Sequence, residues 1–233
     1  MKNIKEILKE LIDPPKTEYF ELALIHKSYY HENKDITFHN ELLEILGDAL
    51  LEAIIVDYLL EKFPNTTEGI ITVIKTGLVN EMVLSEIFEE LELKRYIKLG
   101  KGEEETGGRE KPKIKAGCFE AIIGALYKSF GWDKTKEIVR EIYKNRIENI
   151  KDWRDFLDPK SKLQHFVQKR KLSYPEYKVI KSSGPDHDKR FTVEVSIGEE
   201  IKAIGEGTTK KKAQQQAAKK LLEIIGEKED VSK

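Results

Sequence analysis

Through most of residues 1–150, apolar residues recur with the three-to-four-residue spacing of amphipathic helices. Breakers separate the periodic segments, among them Pro14-Pro15, Phe63-Pro64-Asn65 and the glycine-containing polar stretch from Gly100 to Pro112. No part of this half alternates long enough to indicate a strand. The pattern therefore predicts an all-α region with helices over Ile4–Leu11, Tyr19–Ile25, Glu41–Phe63, Ile70–Leu78, Met82–Leu91, Ile114–Phe130 and Trp132–Ile150.

The pattern changes after residue 151. A short helical segment is followed by residues rich in strand formers, by a strictly alternating run from Phe191 to Ile197, and by a turn at Gly198. Thr208 or Thr209 is predicted to cap a last helix that runs to Ile225. The predicted order is α-β-β-β-α, a small α+β domain with elements over Lys162–Arg170, Tyr174–Ser182, Phe191–Ile197, Ile201–Ile204 and residues 209–225.

Two domains follow from these patterns: an all-α domain over residues 1–151 and the α+β domain over 159–226, with a linker at 152–158 and a tail at 227–233. The composition, 36% charged and 39% hydrophobic, is that of a folded soluble protein. Cys118 is the only cysteine, which excludes an internal disulfide framework and favours a reducing cytoplasm. No signal peptide or membrane-length apolar run is present, so the sequence predicts a cytoplasmic protein without membrane association.

Charge is unevenly distributed between the two halves. Residues 1–155 carry 24 Lys and Arg against 30 Asp and Glu, whereas residues 156–225 carry 15 against 9. A basic C-terminal part beside an acidic N-terminal part indicates that the former holds a polyanion.

The segment Asn40–Asp48 contains three carboxylates within an apolar run. Glu41, Glu44 and Asp48 are spaced i, i+3 and i+7, so a helix places them on one stripe. Large aliphatic residues cover the other faces, which predicts a helix buried almost all round. Buried like charges need a neutralising partner, and a hard divalent cation such as Mg²⁺ is the usual one. The alternative is an ordinary solvated face of an amphipathic helix.

Several blocks, taken in order, resemble the ribonuclease III family, in its bacterial form of one nuclease domain followed by one double-stranded RNA-binding domain. The acidic helix, as His39–Ala49, resembles the signature segment of that family, and the remaining blocks fall before and after it in the expected order. They are Leu24–Tyr29, Phe63–Gly69, Leu78–Asn80, Leu99–Glu103, Gly107–Arg109 and Phe119–Ala125.

The C-terminal region resembles the double-stranded RNA-binding domain of the same family. Three lysines at a helix start place positive side chains next to free backbone N–H groups and the positive end of the helix dipole. Such a site suits the phosphates of duplex RNA, which flank a groove that is too narrow for side chains to read. The residues that the resemblance assigns to RNA binding are Gln164, His165, Gln168, Gly184, Pro185, His187, Lys210, Lys211 and Lys212. His165 stands where the family usually carries Glu.

The same resemblance implies the catalytic residues. Glu44, Asp48 and Glu120 would hold Mg²⁺, for which Mn²⁺ can substitute, with Asp48 and Glu120 as catalytic residues. The ion would activate the water that attacks the phosphodiester. Glu41 and Glu68 match acids with supporting roles.

One position departs from the family pattern. The acid expected three residues before Glu120 is Gly117, and Lys113 and Lys115 replace the usual Ser and aliphatic residue nearby. Loss of a carboxylate predicts weakened metal binding, and the ammonium of Lys113, one turn away, would compete with a metal. Alternatively, a water or Glu41 fills the gap.

The sequence thus leaves two functions open. The first is a Mg²⁺-dependent homodimeric endoribonuclease that cuts both strands of an RNA duplex. Ile45, in place of a family Phe, would lie in the dimer interface. The second is a catalytically impaired protein that binds double-stranded RNA and keeps the nuclease fold as a dimeric scaffold.

Overall fold

The computed structural model describes residues 4–185, 189–199 and 201–230. They divide into two compact units, residues 1–153 and 154–233. The finer limits predicted from the sequence, with a linker over 152–158, remain a prediction. In the described part of the chain, no helix is long and apolar enough to cross a membrane.

The first unit is helical, which confirms the predicted class. Its helices are α1 (Ile4–Ile12), α2 (Glu18–Ala23), α3 (Lys27–Glu32), α4 (Glu41–Lys62), α5 (Glu68–Leu78), α6 (Glu81–Glu90), α7 (Lys101–Glu105) and α8 (Pro112–Glu148), with 3-10 turns at Lys94–Tyr96 and Gly108–Glu110. The last two predicted helices are the two parts of α8, which Gly131 interrupts with non-helical backbone angles (φ 77°, ψ −174°). Only glycine adopts such a backbone without strain.

Helices α4 and α8 share the most extensive contact of this unit. Two glycines permit it. A Cβ at Gly47 would lie 1.7 Å from the carbonyl oxygen of Glu120, and one at Gly124 would lie 2.4 Å from that of Leu43. Only hydrogen fits at both positions, so the two backbones approach closely and the acids of α4 lie opposite Glu120.

The prediction that α4 is buried almost all round is wrong. Of the three leucines expected in the core, Leu43 and Leu51 are buried and Leu46 is half-buried. Leu42, in contrast, is 73% exposed and Ile45 69% exposed. Ala49 is exposed as well. These three residues lie at i, i+3 and i+7, so they form an apolar stripe that nothing in the described chain covers. Hydrophobic periodicity shows which faces prefer burial and does not show what buries them.

The second unit has the predicted α-β-β-β-α order. It consists of α9 (Pro159–Lys169), β1 (Glu176–Ser183), β2 (Arg190–Ile197), β3 (Ile201–Gly207) and α10 (Lys210–Asp230), after a 3-10 turn at Trp153–Phe156. The sheet is antiparallel in the order β1-β2-β3. Both helices share one core with the sheet, formed by Leu163, Val167, Val195, Ile197, Ala203, Ala217, Ala218, Leu221 and Ile225.

The ends of these two helices follow the sequence closely. Asp158 caps α9 by accepting a hydrogen bond from the Lys160 backbone N–H at 2.9 Å, and Pro159 occupies the first turn. Thr209 caps α10, since its hydroxyl accepts from the Lys212 N–H at 3.1 Å. The predicted cap at Thr208 or Thr209 is therefore Thr209.

Candidate metal centre and nucleic-acid interface

Glu120 lies on α8 against the acids of α4, and it is half-buried. Burial raises the pKa of its carboxyl to about 7, and the negative charges of Asp48 and Glu44 add to the effect. A carboxyl group responds this way when removal from water and neighbouring anions both disfavour its charged form. Glu44, Asp48 and Glu120 therefore share one electrostatic environment.

Glu44 reaches from α4 to the backbone of α8. A Cβ at Gly117 would lie 2.7 Å from Oε2 of Glu44, 2.9 Å from its Cδ and 3.2 Å from its Oε1. The Glu44 carboxylate thus rests against Gly117, in the space that a side chain there would need. Burial raises the pKa of Glu44, the charge of Glu41 raises it further, and the charge of Lys113 partly offsets both.

Glu41 lines the same cleft as Glu44, but its carboxylate already has a cation partner. Its carboxylate pairs with the Lys27 ammonium at 3.2 Å and lies 3.8 Å from Nδ1 of His39. The hydrogen bond from Lys27 holds the pKa of Glu41 below its usual value. Glu41 therefore has a cation from within the chain. The alternative in which Glu41 fills the Gly117 gap is wrong, because the carboxylate that borders Gly117 is that of Glu44.

Glu68 and the two unusual lysines occupy different places. Glu68 is exposed at the start of α5 and is not among the charges that shift the pKa of Glu44 or Glu120. Lys115 is buried and pairs with Glu89 of α6 at 2.8 Å, away from the acids. Lys113, in contrast, lines the same cleft as Gly117 and Glu44, as the helical spacing predicts.

This cleft has a volume of about 250 Å³ and contains residues that the sequence analysis did not assign. Lys27 and Lys111 line it, each next to an acid: Lys27 beside Glu41, and Lys111 at 2.6 Å from Glu103. The full lining is His26, Lys27, Asn40, Glu41, Glu44, Glu103, Lys111, Lys113, Ile114 and Gly117. The acidic residues at 103–105 and the lysines at 111 and 113 are visible in the sequence, but the sequence does not show which helix they face.

The three carboxylates suit a hard divalent cation, although their side chains are not close enough together to bind one without moving. Carboxylate oxygens are the ligands that such ions prefer, and a cation between α4 and α8 would offset both the burial of the Glu120 charge and the repulsion from Asp48 and Glu44 that adds to it. Within the described residues, no three acidic, histidine or cysteine side chains are close enough to form a ready metal site. Asp48 is exposed, so its side chain can rotate toward an ion without disturbing the core.

In the second unit, the residues assigned to RNA binding lie on accessible positions. Gln164 and Gln168 are exposed on α9, with His165 half-buried beside them. Gly184 and Pro185 are exposed directly after β1, whereas His187 falls outside the described residues. The three lysines, Lys210, Lys211 and Lys212, are exposed in the first turn of α10.

A basic surface that no sequence pattern indicates adjoins the α9 positions. Arg154 and Lys169 line a shallow depression together with His165 and Gln168. Arg154 comes from the 3-10 turn before α9, so only the folded structure brings it to this face. It extends the positive charge of the predicted RNA-binding surface.

Known proteins resemble this chain along most of its length. The model of the family described as Ribonuclease-III-like matches residues 16–147, and that of the Double-stranded RNA binding motif matches residues 159–225. "Ribonuclease 3" of Natranaerobius thermophilus is 44% identical over 196 residues, which are 84% of this chain and 85% of that protein. "Ribonuclease 3" of Leptospira interrogans is 36% identical over 98% of this chain and 93% of its own length.

Solved structures agree with the fold of the first unit. A crystal structure of the nuclease domain of ribonuclease III from Campylobacter jejuni has a TM-score of 0.53 and 38% sequence identity, covering 62% of this chain and 97% of that domain. A second structure of that domain, with 37% identity and the same TM-score, concerns flexibility in a region involved in its dimer formation.

Proposed function

Because the chain belongs to the ribonuclease III family, we propose that it is a Mg²⁺-dependent endoribonuclease that cuts RNA duplexes as a homodimer. The observation that carries the proposal is the group of Glu44, Asp48 and Glu120 across α4 and α8, in which the pKa of Glu120 rises to about 7. A scaffold would gain nothing from carboxylates that repel one another. A cation-dependent hydrolase needs them.

Glu44, Asp48 and Glu120 are the residues that would hold the ion. When bound, Mg²⁺ would supply an activated water and stabilise the charge that develops on the phosphate. The protein's part is to supply oxygen ligands from two helices that Gly47 and Gly124 hold in close contact. The cytoplasmic location predicted from the cysteine content is part of this proposal.

The affinity for the metal should depend on pH through Glu120. Its carboxyl has a pKa of about 7 and must lose its proton to bind a cation. We therefore expect the Mn²⁺ association constant to rise roughly tenfold from about pH 6 to about pH 8 and to level off above, which isothermal titration calorimetry would measure. A profile that is flat over this range in the wild type would contradict the shared environment of the three acids.

Duplex binding is assigned to the second unit. The lysines at the start of α10 and the polar side chains of α9 present the charge and hydrogen-bonding groups that recognise RNA by its shape and 2′-hydroxyls. Binding should therefore be insensitive to base sequence and sensitive to salt.

The exposed apolar stripe of α4 supports the homodimer. Leu42, Ile45 and Ala49 form it beside the acids, and a second copy of the chain would bury it.

We expect Ile45→Asp to change the solution mass from about twice 27.0 kDa to that of one chain, because a charge at a buried interface lacks a partner. Light scattering after size exclusion would measure it. Met82→Asp, at an exposed apolar position of α6 and off the stripe, is the control, and an Ile45→Asp dimer would refute this interface.

Gly117 and Lys113 are the observations that favour the second function, a catalytically impaired duplex-binding protein. Lys115 no longer supports it, since Glu89 neutralises that side chain away from the acids. Incubation of a long RNA duplex with the protein in Mg²⁺ and in EDTA separates the two functions. Cleavage in Mg²⁺ alone supports the enzyme, whereas binding without cleavage in either condition supports the scaffold.

A further inference from the structure

We propose that Gly117 is a positioning residue. Because it has no side chain, the Glu44 carboxylate can lie against α8 and act as the metal ligand on that side of the site. The inference rests on the proposed function, since it concerns the same cation. The alternative is that the space beside Gly117 is unfilled and the metal site simply has one carboxylate ligand fewer.

The first observation is the direct contact between Glu44 and Gly117. Three atoms of the Glu44 carboxyl group fall within 3.2 Å of the place where a Cβ of residue 117 would stand. Gly117 is buried, so this carboxylate covers the backbone of α8 there. A side chain of any size at this position has to push Glu44 back toward α4.

The charges around Glu44 favour the same placement. Glu41 and Asp48, on the same stripe of α4, repel its carboxylate, whereas Lys113 of α8 and Lys27 of α3 attract it. With no side chain at Gly117 to oppose the movement, the carboxylate leans toward α8. Lys113 thus does more than compete with a metal: it attracts Glu44 toward α8 and partly offsets the repulsion between Glu44 and Glu120.

The third observation sets Gly117 apart from the other glycines between α4 and α8. A Cβ at Gly47 or Gly124 would collide with backbone atoms, so those glycines are needed for the helices to pack. A Cβ at Gly117 would meet only the end of a flexible side chain. Gly117→Ala should therefore fold normally and change the position of Glu44 alone.

The test measures binding of Mn²⁺ alone to the full-length protein, without RNA, by isothermal titration calorimetry. We expect Gly117→Ala to weaken binding roughly 10–100-fold, the size of effect seen when a ligand's support is lost. Gly117→Asp also displaces Glu44 but supplies a carboxylate, so it should bind at least as well as the wild type. Gly226→Ala, at a helical position with no atom within 4 Å of the added Cβ, is the control and should bind as the wild type does.

A double-mutant cycle shows whether the effect passes through Glu44. In a Glu44→Ala background, Gly117→Ala should cause no further loss of Mn²⁺ affinity, and an additional tenfold loss would overturn the inference. Equal affinities of Gly117→Ala and the wild type would overturn it as well, because an empty gap tolerates a methyl group. If the wild type binds no Mn²⁺ and cuts duplexes equally in EDTA, the proposed function itself fails.

Discussion

Replacing Glu120 with Gln is expected to lower the rate of duplex cleavage at least about 100-fold, more than the loss of a group that only supports a metal ligand. Gln keeps the shape of the side chain and removes its charge, so the site loses an anionic ligand without losing volume. Affinity for the duplex, measured in EDTA, should change less than about twofold, because the phosphate contacts are assigned to the lysines of α10 and not to Glu120.

The same variant should gain stability at alkaline pH. The unfolded chain releases the Glu120 proton near pH 4.5, whereas the folded protein holds it up to about 7. The folded state is therefore increasingly disfavoured as pH rises between these values, and it stays so above them. Gln has no such proton, so we expect a higher melting temperature than the wild type at pH 8 and a similar one at pH 4.5.

A matched substitution on α8 provides the control for both measurements. Glu141 is exposed on the same helix, so Glu141→Gln makes the same chemical change outside the acidic group. It should alter neither cleavage nor the pH dependence of melting. If Glu120→Gln kept more than half of the wild-type cleavage rate, Glu120 would not be a ligand of the catalytic metal.

The second large effect is expected at the start of α10. The double variant Lys211→Ala, Lys212→Ala should weaken duplex binding by roughly 10–100-fold at moderate salt and lower the slope of log affinity against log salt by about 2. Both lysines are exposed in the first turn, where the helix dipole and free N–H groups also favour phosphate. Fluorescence anisotropy with a labelled duplex across a salt series measures both quantities.

The chain offers a control of equal charge on the same helix. Lys219 and Lys220 are exposed more than two turns further along α10, so Lys219→Ala, Lys220→Ala removes two positive charges away from the helix start. Affinity and salt slope should stay close to those of the wild type. Equal losses in the two double variants would mean that only net charge matters and that the start of α10 has no special role.

Long helices could be predicted from the sequence because their apolar period repeats several times. Helices α3 and α7 contain no aliphatic residue, so they have no apolar period to predict them from. Helix α7 also lies within a polar, glycine-containing stretch, whose composition is typical of a loop. The break in α8 was predicted at Gly131, since a glycine between two periodic segments marks a change of backbone.

Local spacing and the family resemblance were enough to predict which acids form the candidate site, but not which side chains they contact. Spacing placed Glu44 and Asp48 on one face, and the resemblance added Glu120. The partner of Glu41 could not be foreseen, because Lys27 reaches it from a separate helix. Nor could the contact of Glu44 with Gly117, which depends on how closely α4 and α8 pack. A sequence shows where a residue departs from a family pattern. It does not show which side chain fills the space that the missing side chain leaves.

The most direct test of the central claim is single-turnover cleavage of a long, perfectly paired RNA duplex by the wild-type protein in Mg²⁺, with analysis of both strands. The account predicts cuts in both strands that leave 5′-phosphate and 3′-hydroxyl ends, and no cuts when EDTA removes the metal. A duplex that stays intact in Mg²⁺ while the protein saturates it would contradict the account and identify the chain as a duplex-binding scaffold.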